Sequence, residues 1–275
     1  MQRWTRVLFV LLLAFASVCA QAASGGMTLE QIANTRSVVS VAISPDGSQV
    51  AYVLSVPRQV GVDDDGPARS ELHVVDRAGN SRAFVTGKVS VGGVQWAADG
   101  QGILYLAKRD GDETRALYRI PLQGGESRRI ATLKSDIASF SQSSDGRRVA
   151  LLASEQESDE LKALRKQGFS QKVYEEDWRP VQLWIRDLAD DKAEPRLVKL
   201  EGSVQGVRWS PAGDRLALTV APRQLTDDTL VFTKVHIVSP EGRLLGQVDN
   251  PGKLGEFSWS SNGSHLAIIS AADIN

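Results

Sequence analysis

A short polar corner occurs five times along this chain, each time between two apolar segments. The corners are Ser44-Pro45-Asp46-Gly47, Ala97-Ala98-Asp99-Gly100, Ser143-Ser144-Asp145-Gly146, Ser210-Pro211-Ala212-Gly213 and Ser260-Ser261-Asn262-Gly263. An apolar triplet follows each corner after two residues, as in Val50-Ala51-Tyr52. Repetition at intervals of about 50 residues is typical of array folds. This repeat therefore constrains the fold more than any other feature of the chain.

The residue types of the corner predict a tight turn between antiparallel strands. Serine at the first position, proline at the second and glycine at the fourth suit a type I turn. Aspartate can bond the local backbone, and glycine accepts a left-handed conformation without strain. A sialidase-type aspartate box would need one more residue between the aspartate and the glycine, and all five copies lack it.

Each repeat predicts four short strands, two around the corner and two more before the next corner. The third strand is clear at Leu72-His73-Val74-Val75 and at Leu183-Trp184-Ile185-Arg186. Four antiparallel strands per unit are typical of a β-propeller blade. We predict an all-β fold, a β-propeller with four-stranded blades, over residues 38–275. The repeats lie near 38–86, 89–133, 134–200, 202–249 and 251–275.

The spacing of the repeats is uneven because three insertions separate second from third strands. They are Gly61 to Arg69, Glu155 to Pro180 and Pro222 to Leu230. Leu161 and Leu164 with Gly168 beyond them predict a short helix in the longest insertion. Insertions of this kind usually lie on one face of an array, often the working face.

The repeat count predicts about four and a half blades, which is an incomplete propeller. A propeller closes with four to eight four-stranded blades, and the fifth repeat here has only its first two strands. An open array exposes a sheet edge and an apolar blade face. We therefore expect the chain to be part of a longer protein or to need a partner.

The first 22 residues have the pattern of a secretory signal peptide. Arg3 and Arg6 precede an apolar run from Val7 to Ala16, and Ala20-Gln21-Ala22 is a small-residue cleavage site. The run is too short for a membrane span. We predict cleavage after Ala22 and an exported protein, periplasmic or secreted from a bacterium. Residues 23–37 form an N-terminal segment in which Thr28-Leu29-Glu30-Gln31 predicts a capped short helix.

Charge and cysteine content exclude several classes of function. Removing residues 1–22 takes away Cys19, the only cysteine, so no disulfide or thiol chemistry is expected. It also removes two arginines, leaving 30 basic and 33 acidic residues. That near balance gives no electrostatic basis for binding nucleic acid or an anionic membrane.

We assign no catalytic residue, metal ligand or cofactor to this chain. Neither a Gly-x-Ser-x-Gly nucleophile elbow nor a phosphate-binding glycine loop occurs. His73 and His236 stand at matching places in third strands, and His265 follows a corner, so structural roles are favoured. Asp63-Asp64-Asp65-Gly66 lacks the alternating ligands of a calcium loop. The aromatic residues near the corners favour packing between neighbouring blades over stacking on sugars or bases.

One segment, Val173-Tyr174-Glu175-Glu176-Asp177-Trp178, is a candidate substrate-binding site. Three consecutive carboxylates beside aromatic residues can bind a cationic amine. The alternative is a solvated acidic turn. Glu175 and Glu176 are the candidate residues.

The repeats, in the form Ser-Pro-Asp-Gly followed by Val-Ala-Tyr or Leu-Ala-Leu, resemble those of two propeller families. One is the N-terminal propeller of the prolyl oligopeptidase (S9) serine peptidases, in its acylaminoacyl-peptidase and dipeptidyl-peptidase branches. The other is the TolB-like periplasmic proteins. Three features are more similar to the peptidases than to the TolB-like proteins. They are the uneven repeat spacing, the segment Lys172 to Pro180 before Gln182-Leu183-Trp184, and the sequence Ser270 to Asn275.

The peptidase resemblance implies a propeller that gates substrates for a C-terminal α/β-hydrolase domain, which this chain does not contain. Peptide hydrolysis by a Ser-Asp-His triad would belong to that domain, and the partners would be peptide substrates. Dipeptidyl peptidases of this superfamily bind the substrate amine with a Tyr-Glu-Glu motif, which Tyr174-Glu175-Glu176 matches. In that family the motif leads into a Trp-Ser-Pro corner, whereas here a third strand follows. The alternative function is a TolB-like scaffold that binds protein partners.

Overall fold

The structure, a computed structural model, describes residues 26–273. The predicted signal peptide, Cys19 and the cleavage site after Ala22 lie outside the described residues. The described residues divide into two units, one of residues 26–37 together with 56–68, the other of residues 38–55 together with 69–273. In the first unit, helix α1 (Leu29–Ala33) has the predicted capping box. The Thr28 hydroxyl accepts from Gln31 N at 3.1 Å, and the Gln31 side chain accepts from Thr28 N at 2.9 Å.

Within residues 26–273, eighteen strands follow in the order that the repeats predict, together with two further helices. In the first two repeats the strands are β1 (Ser37–Ile43), β2 (Gln49–Val56), β3 (Arg69–Asp76), β4 (Ser81–Val85), β5 (Gly92–Trp96), β6 (Gly102–Ala107), β7 (Ala116–Pro121) and β8 (Arg128–Ala131). In the third and fourth they are β9 (Ile137–Gln142), β10 (Arg148–Ser154), β11 (Val181–Asp187), β12 (Arg196–Val198), β13 (Ser203–Trp209), β14 (Leu216–Ala221), β15 (Lys234–Val238) and β16 (Leu244–Val248). The fifth contains β17 (Leu254–Trp259) and β18 (Leu266–Ser270), and the helices are α2 (Asp159–Lys166) and α3 (Thr226–Val231).

The strands form sheets in simple sequence order, which confirms the all-β fold class with four-stranded blades. Blade 1 is β1-β2-β3-β4, blade 2 is β5-β6-β7-β8, blade 3 is β9-β10-β11-β12 and blade 4 is β13-β14-β15-β16. Strands β17 and β18 form a two-stranded sheet. Neighbouring strands pair antiparallel, as the short turns between them require.

The corner residues form the same hydrogen-bond network in the first, third and fifth repeats. In the first copy the Asp46 carboxylate accepts from the Ser44 hydroxyl at 2.7 Å and from Ser48 N at 3.0 Å. The Ser44 hydroxyl in turn accepts from Gln49 N at 2.9 Å. Gly47 has a φ of 68°, in the left-handed region that glycine tolerates. In these three repeats the side chains of the motif thus stabilise the turn that joins the first two strands.

Tryptophans before the corners join successive blades, as the sequence predicts. The Trp96 indole N–H donates to the Ala42 carbonyl of blade 1 at 2.8 Å. Trp209 donates to the Ser141 carbonyl of blade 3 at 3.0 Å. Trp259 donates to the Arg208 carbonyl of blade 4 at 3.4 Å. The same side chain therefore contacts the same strand position of the preceding blade three times.

Arginines two residues after a corner glycine join the blades in the opposite direction. Arg148 donates to the Gly213 carbonyl at 2.5 Å, and its guanidinium carbon lies 4.7 Å from the centroid of the Trp209 ring. Arg215 donates to the Gly263 carbonyl at 3.1 Å. Each of these arginines thus reaches the corner of the following repeat.

The hydrophobic core consists of clusters between successive blades. Ile103 and Tyr105 pack against blade 1, whereas Leu104 and Leu106 of the same strand pack against blade 3. A third cluster joins blades 3 and 4. Successive residues of a strand point to opposite faces, so the continuous apolar run of β6 is buried on both sides. Each fully buried leucine contributes about 1.5–3 kcal/mol.

Candidate functional site

Two insertions in blades 3 and 4 converge on one another. The first, residues 155–180, connects β10 to β11 and contains α2; the second, residues 222–233, connects β14 to β15 and contains α3. We call these two segments the insertion surface. The Tyr174 hydroxyl of the first accepts from Thr226 N of the second at 3.0 Å. The insertions therefore form one surface although about 50 residues separate the two contact points.

Polar side chains near the first residue of β13 form hydrogen bonds with both insertions. The Ser203 hydroxyl accepts from Val181 N at 2.9 Å, where the first insertion ends. It donates to the Gln224 side-chain oxygen at 2.5 Å, in the second insertion. Gln205 donates to the same oxygen at 2.6 Å. Ser203 is buried, and its hydrogen-bonding capacity is used to position both segments.

The predicted helix of the first insertion is present and is amphipathic. Helix α2 begins after Ser158, whose hydroxyl accepts from Leu161 N at 3.2 Å. It ends before Gly168, which has a φ of 94°. Leu161 and Leu164 remain 40% and 45% exposed. The described residues thus leave the apolar side of this helix accessible.

Glu175 and Glu176 lie next to one another in a closed turn. The Asp177 carboxylate accepts from Val173 N at 2.6 Å, and the N–H groups of Glu176 and Asp177 donate to the Val173 carbonyl at 3.1 and 2.8 Å. Asp177 is thereby used to close the turn. The side chains of Glu175 and Glu176 are exposed, and their role in binding stays a prediction.

An ion pair in the second insertion lies near this turn. Arg223 donates to the Asp228 carboxylate at 2.6 and 3.4 Å, and only 9% of the Asp228 side chain is exposed. The hydrogen bond that Arg223 donates to Asp228 is the largest cause that raises the pKa of Arg223, followed by the charge of Asp228; the charge of Glu175 raises it further. Because Asp228 already pairs with Arg223, Glu175 remains available to a second cation.

Sequence reasoning missed α3 and the Arg223–Asp228 pair. A helix of six residues is too short to show a helical period, and the available signal was the acidic first turn, Asp227 and Asp228. The pairing of Arg223 with Asp228 follows from this helix, because its first turn brings the carboxylate back toward the preceding loop.

The three histidines lie in three different repeats and form no common site. His73 stacks on Tyr52, with ring centroids 5.3 Å apart, and its Nε2 lies 3.1 Å from Glu71. Burial lowers the pKa of His236. The Nδ1 of His265 lies 2.7 Å from the hydroxyl of its neighbour Ser264. Each of these contacts is a local one, within the histidine's own repeat.

Comparison with known proteins connects the chain to peptidases. It is 28% identical over 131 residues to dipeptidyl-peptidase 5 of Porphyromonas endodontalis, a match over 47% of this chain and 18% of that protein. It is 26% identical over 128 residues to the uncharacterized peptidase YuxL of Bacillus subtilis, over 46% of this chain and 19% of that protein. The matched segments thus span less than a fifth of these relatives. No protein-family model matches the chain.

Solved structures show the same fold. The acylaminoacyl peptidase of Pyrococcus horikoshii superposes with a TM-score of 0.60 at 14% identity, covering 88% of this chain and 36% of that one. A putative TolB of Agrobacterium tumefaciens superposes with a TM-score of 0.54 at 18% identity, covering 83% and 73%. The resemblance to S9 peptidase propellers, with TolB-like propellers as second choice, is therefore confirmed. Among residues 26–273, none of the helices has the length and apolar character to cross a membrane.

Proposed function

We propose that this chain is the substrate-gating β-propeller of an exported S9-type serine peptidase. Peptide hydrolysis would be carried out by a C-terminal α/β-hydrolase domain outside this chain. The proposal is supported by the sequence similarity of this chain to two peptidases. The fold of this chain is also similar to that of part of an acylaminoacyl peptidase. Export rests on the pattern of residues 1–22.

The insertion surface is the part of the chain that we assign to contact with the hydrolase domain and its substrate. Phe169 and Val173 are about half exposed there, together with the apolar side of α2. Contiguous exposed apolar residues rimmed by charge mark interaction sites. A domain that covers these residues would leave a restricted passage, which selects short peptides by size.

Glu175 and Glu176 are proposed to bind the free amine of the substrate. The turn closed by Asp177 presents both carboxylates to solvent, and Arg223 is already occupied by Asp228. The surface therefore has an excess of negative charge near Glu175, which favours a cationic ammonium group. Charge-assisted hydrogen bonds to an ammonium are about twice as strong as neutral ones.

The experiment compares peptides with a free and with a blocked amino terminus. In the native peptidase that contains this chain, changing both Glu175→Gln and Glu176→Gln is expected to raise KM for free-amine peptides about tenfold. KM for N-blocked peptides should stay unchanged. Glu126→Gln, an exposed carboxylate of blade 2 outside the insertion surface, is the control variant and should leave both values unchanged.

Two results would contradict these assignments separately. Equal loss on free and blocked peptides would exclude amine binding by Glu175 and Glu176 while leaving the gating role intact. Hydrolysis of folded proteins as fast as of short peptides would exclude gating by size. A native protein that hydrolyses neither would favour the TolB-like scaffold.

A further inference from the structure

A cavity of about 310 Å³ lies between blades 2 and 3, and arginines surround it. Blade 2 contributes Arg119, Arg128 and Arg129, and blade 3 contributes Arg186 together with Asp191. Leu104, Ile130 and Leu188 also line it. The chain as a whole has a net charge of −1, so this grouping of cations is a local property of the interface.

The sheet register explains why the arginines converge. Leu104, Arg119 and Arg128 are cross-strand partners in blade 2 and share one face of the sheet. Leu104 packs in the cluster between blades 2 and 3, so that face looks toward blade 3. In blade 3, Arg186 pairs with Val149 of the same cluster. The guanidinium groups of both blades therefore meet in the gap.

The pairing of Arg119 with Arg128 needs a compensating charge. Like charges directly opposite one another on adjacent strands destabilise a sheet. Arg119 lies 2.6 Å from Asp99, and Arg128 lies 2.9 Å from Asp191. The side chains of the second pair are 66% and 78% exposed, and exposed pairs contribute about 0–1 kcal/mol. These carboxylates neutralise the two arginines only in part.

Arg186 brings a further positive charge. Its Nε donates to the Ala193 carbonyl and its Nη2 to the Asp191 carbonyl, both at 2.9 Å. These bonds fix the guanidinium but do not neutralise it, and within residues 26–273 it forms no ion pair. Among the described residues, four arginines thus line a cavity that has apolar walls and a single carboxylate, Asp191. Of the four, Arg129 is neutralised by Asp112 at 2.6 Å, which leaves Arg119, Arg128 and Arg186 for a ligand.

We propose that this cavity binds a small oxyanion, a carboxylate or a phosphate. A guanidinium group presents paired N–H donors that match the oxygens of either anion. The volume is at the lower end of the range for ligand sites, which is about 300–1,000 Å³. The apolar walls of Leu104 and Leu188 would accept a short hydrocarbon part. This inference is independent of the peptidase proposal, because it uses blades 2 and 3 alone.

Calorimetric titration of the native protein that contains this chain tests the site, with inorganic phosphate and benzoate as probes at constant ionic strength. One saturable site is expected. Arg186→Gln and Arg128→Gln should each weaken it about fivefold, the loss of one charge-assisted bond. Asp191→Asn should tighten it about twofold or more, because it frees Arg128 from its carboxylate. Arg208→Gln, an exposed arginine of blade 4, should change nothing.

The outcomes separate the two sources of oxyanion. Binding of phosphate without benzoate assigns a phosphoryl ligand, and the reverse assigns a carboxylate. Tighter binding by Asp191→Asn supports the site even if an arginine variant folds poorly, because a gain of affinity does not arise from unfolding. The proposal would be overturned if titration with phosphate or benzoate gave heats no larger than titration with chloride. It would also be overturned if neither the arginine variants nor Asp191→Asn altered the affinity.

Discussion

At the scale of single residues, the indole N–H of Trp209 provides a buried bond between blades. Both Trp209 and Ser141 are buried, and the nitrogen lies 3.0 Å from the Ser141 carbonyl oxygen. Removing one partner of a buried hydrogen bond leaves the other unsatisfied, which costs about 1–3 kcal/mol. Strand pairing alone does not provide this link, because it connects strands within a blade.

Trp209→Phe is therefore expected to lower the free energy of unfolding by about 1–3 kcal/mol in urea denaturation. Trp259→Phe is the matched control. Its indole nitrogen lies 3.4 Å from the Arg208 carbonyl and its ring is only half-buried, so the loss should be clearly smaller. Equal losses in the two variants would show that the hydrogen bond contributes nothing specific.

Asp46 makes the first corner sensitive to acid. Hydrogen bonds, first from the Ser44 hydroxyl and then from Ser48, lower the pKa of Asp46 from 3.8 to about 2. A carboxyl whose pKa is lower in the folded state stabilises that state above the unfolded pKa and loses this contribution as the pH falls through the folded pKa. The contribution of Asp46 should therefore be complete above about pH 4 and disappear toward pH 2.

Asp46→Asn tests this directly, because Asn262 already makes the same bonds in the fifth corner, to the Ser260 hydroxyl at 2.8 Å and to Ser264 N at 3.0 Å. The variant keeps the acceptor and removes the titration. Between pH 4 and pH 2 the melting temperature of the natural chain should fall more steeply than that of the variant. Parallel curves would contradict the assignment of acid sensitivity to this corner.

At the scale of elements, the contact between Tyr174 and Thr226 holds the two insertions together. The bond is exposed, so its net contribution to global stability is small, about 0.5 kcal/mol or less. Tyr174→Phe should leave the melting temperature nearly unchanged and make the segment 170–178 exchange its amide hydrogens faster. Tyr52→Phe, which removes a hydroxyl bonded to Ser81 in blade 1, is the control and should leave this segment unchanged.

The same elements show what sequence reasoning could and could not predict. Strands and corners were predictable because their signals, such as Ser44 to Gly47, are local and repeat five times. The helix over Asp159–Lys166 was predictable from Leu161, Leu164 and Gly168. The contact of Tyr174 with Thr226 was not, because it joins two loops without a pattern across 52 residues. Local sequence signals likewise predicted Glu175 and Glu176 as candidates, but not the nearby pair Arg223 and Asp228.

At the scale of the molecule, the blades behave as repeated units that depend on their neighbours. Core clusters, tryptophan bonds and arginine contacts all lie between successive blades. In such arrays the free energy of unfolding is roughly the sum of a contribution from each repeat and a contribution from each interface between neighbouring repeats. The insertions in blades 3 and 4 can therefore differ from the other repeats without disturbing the scaffold that positions them.

The central claim is that this chain is the propeller of a serine peptidase. It is tested most directly by precipitating the native protein from its source cells with an antibody to this chain, after labelling with a fluorophosphonate that reacts with active serine hydrolases. We predict a labelled species of more than twice the 29.8 kDa of this chain. An unlabelled species of 29.8 kDa or slightly less would contradict the claim and favour a binding scaffold.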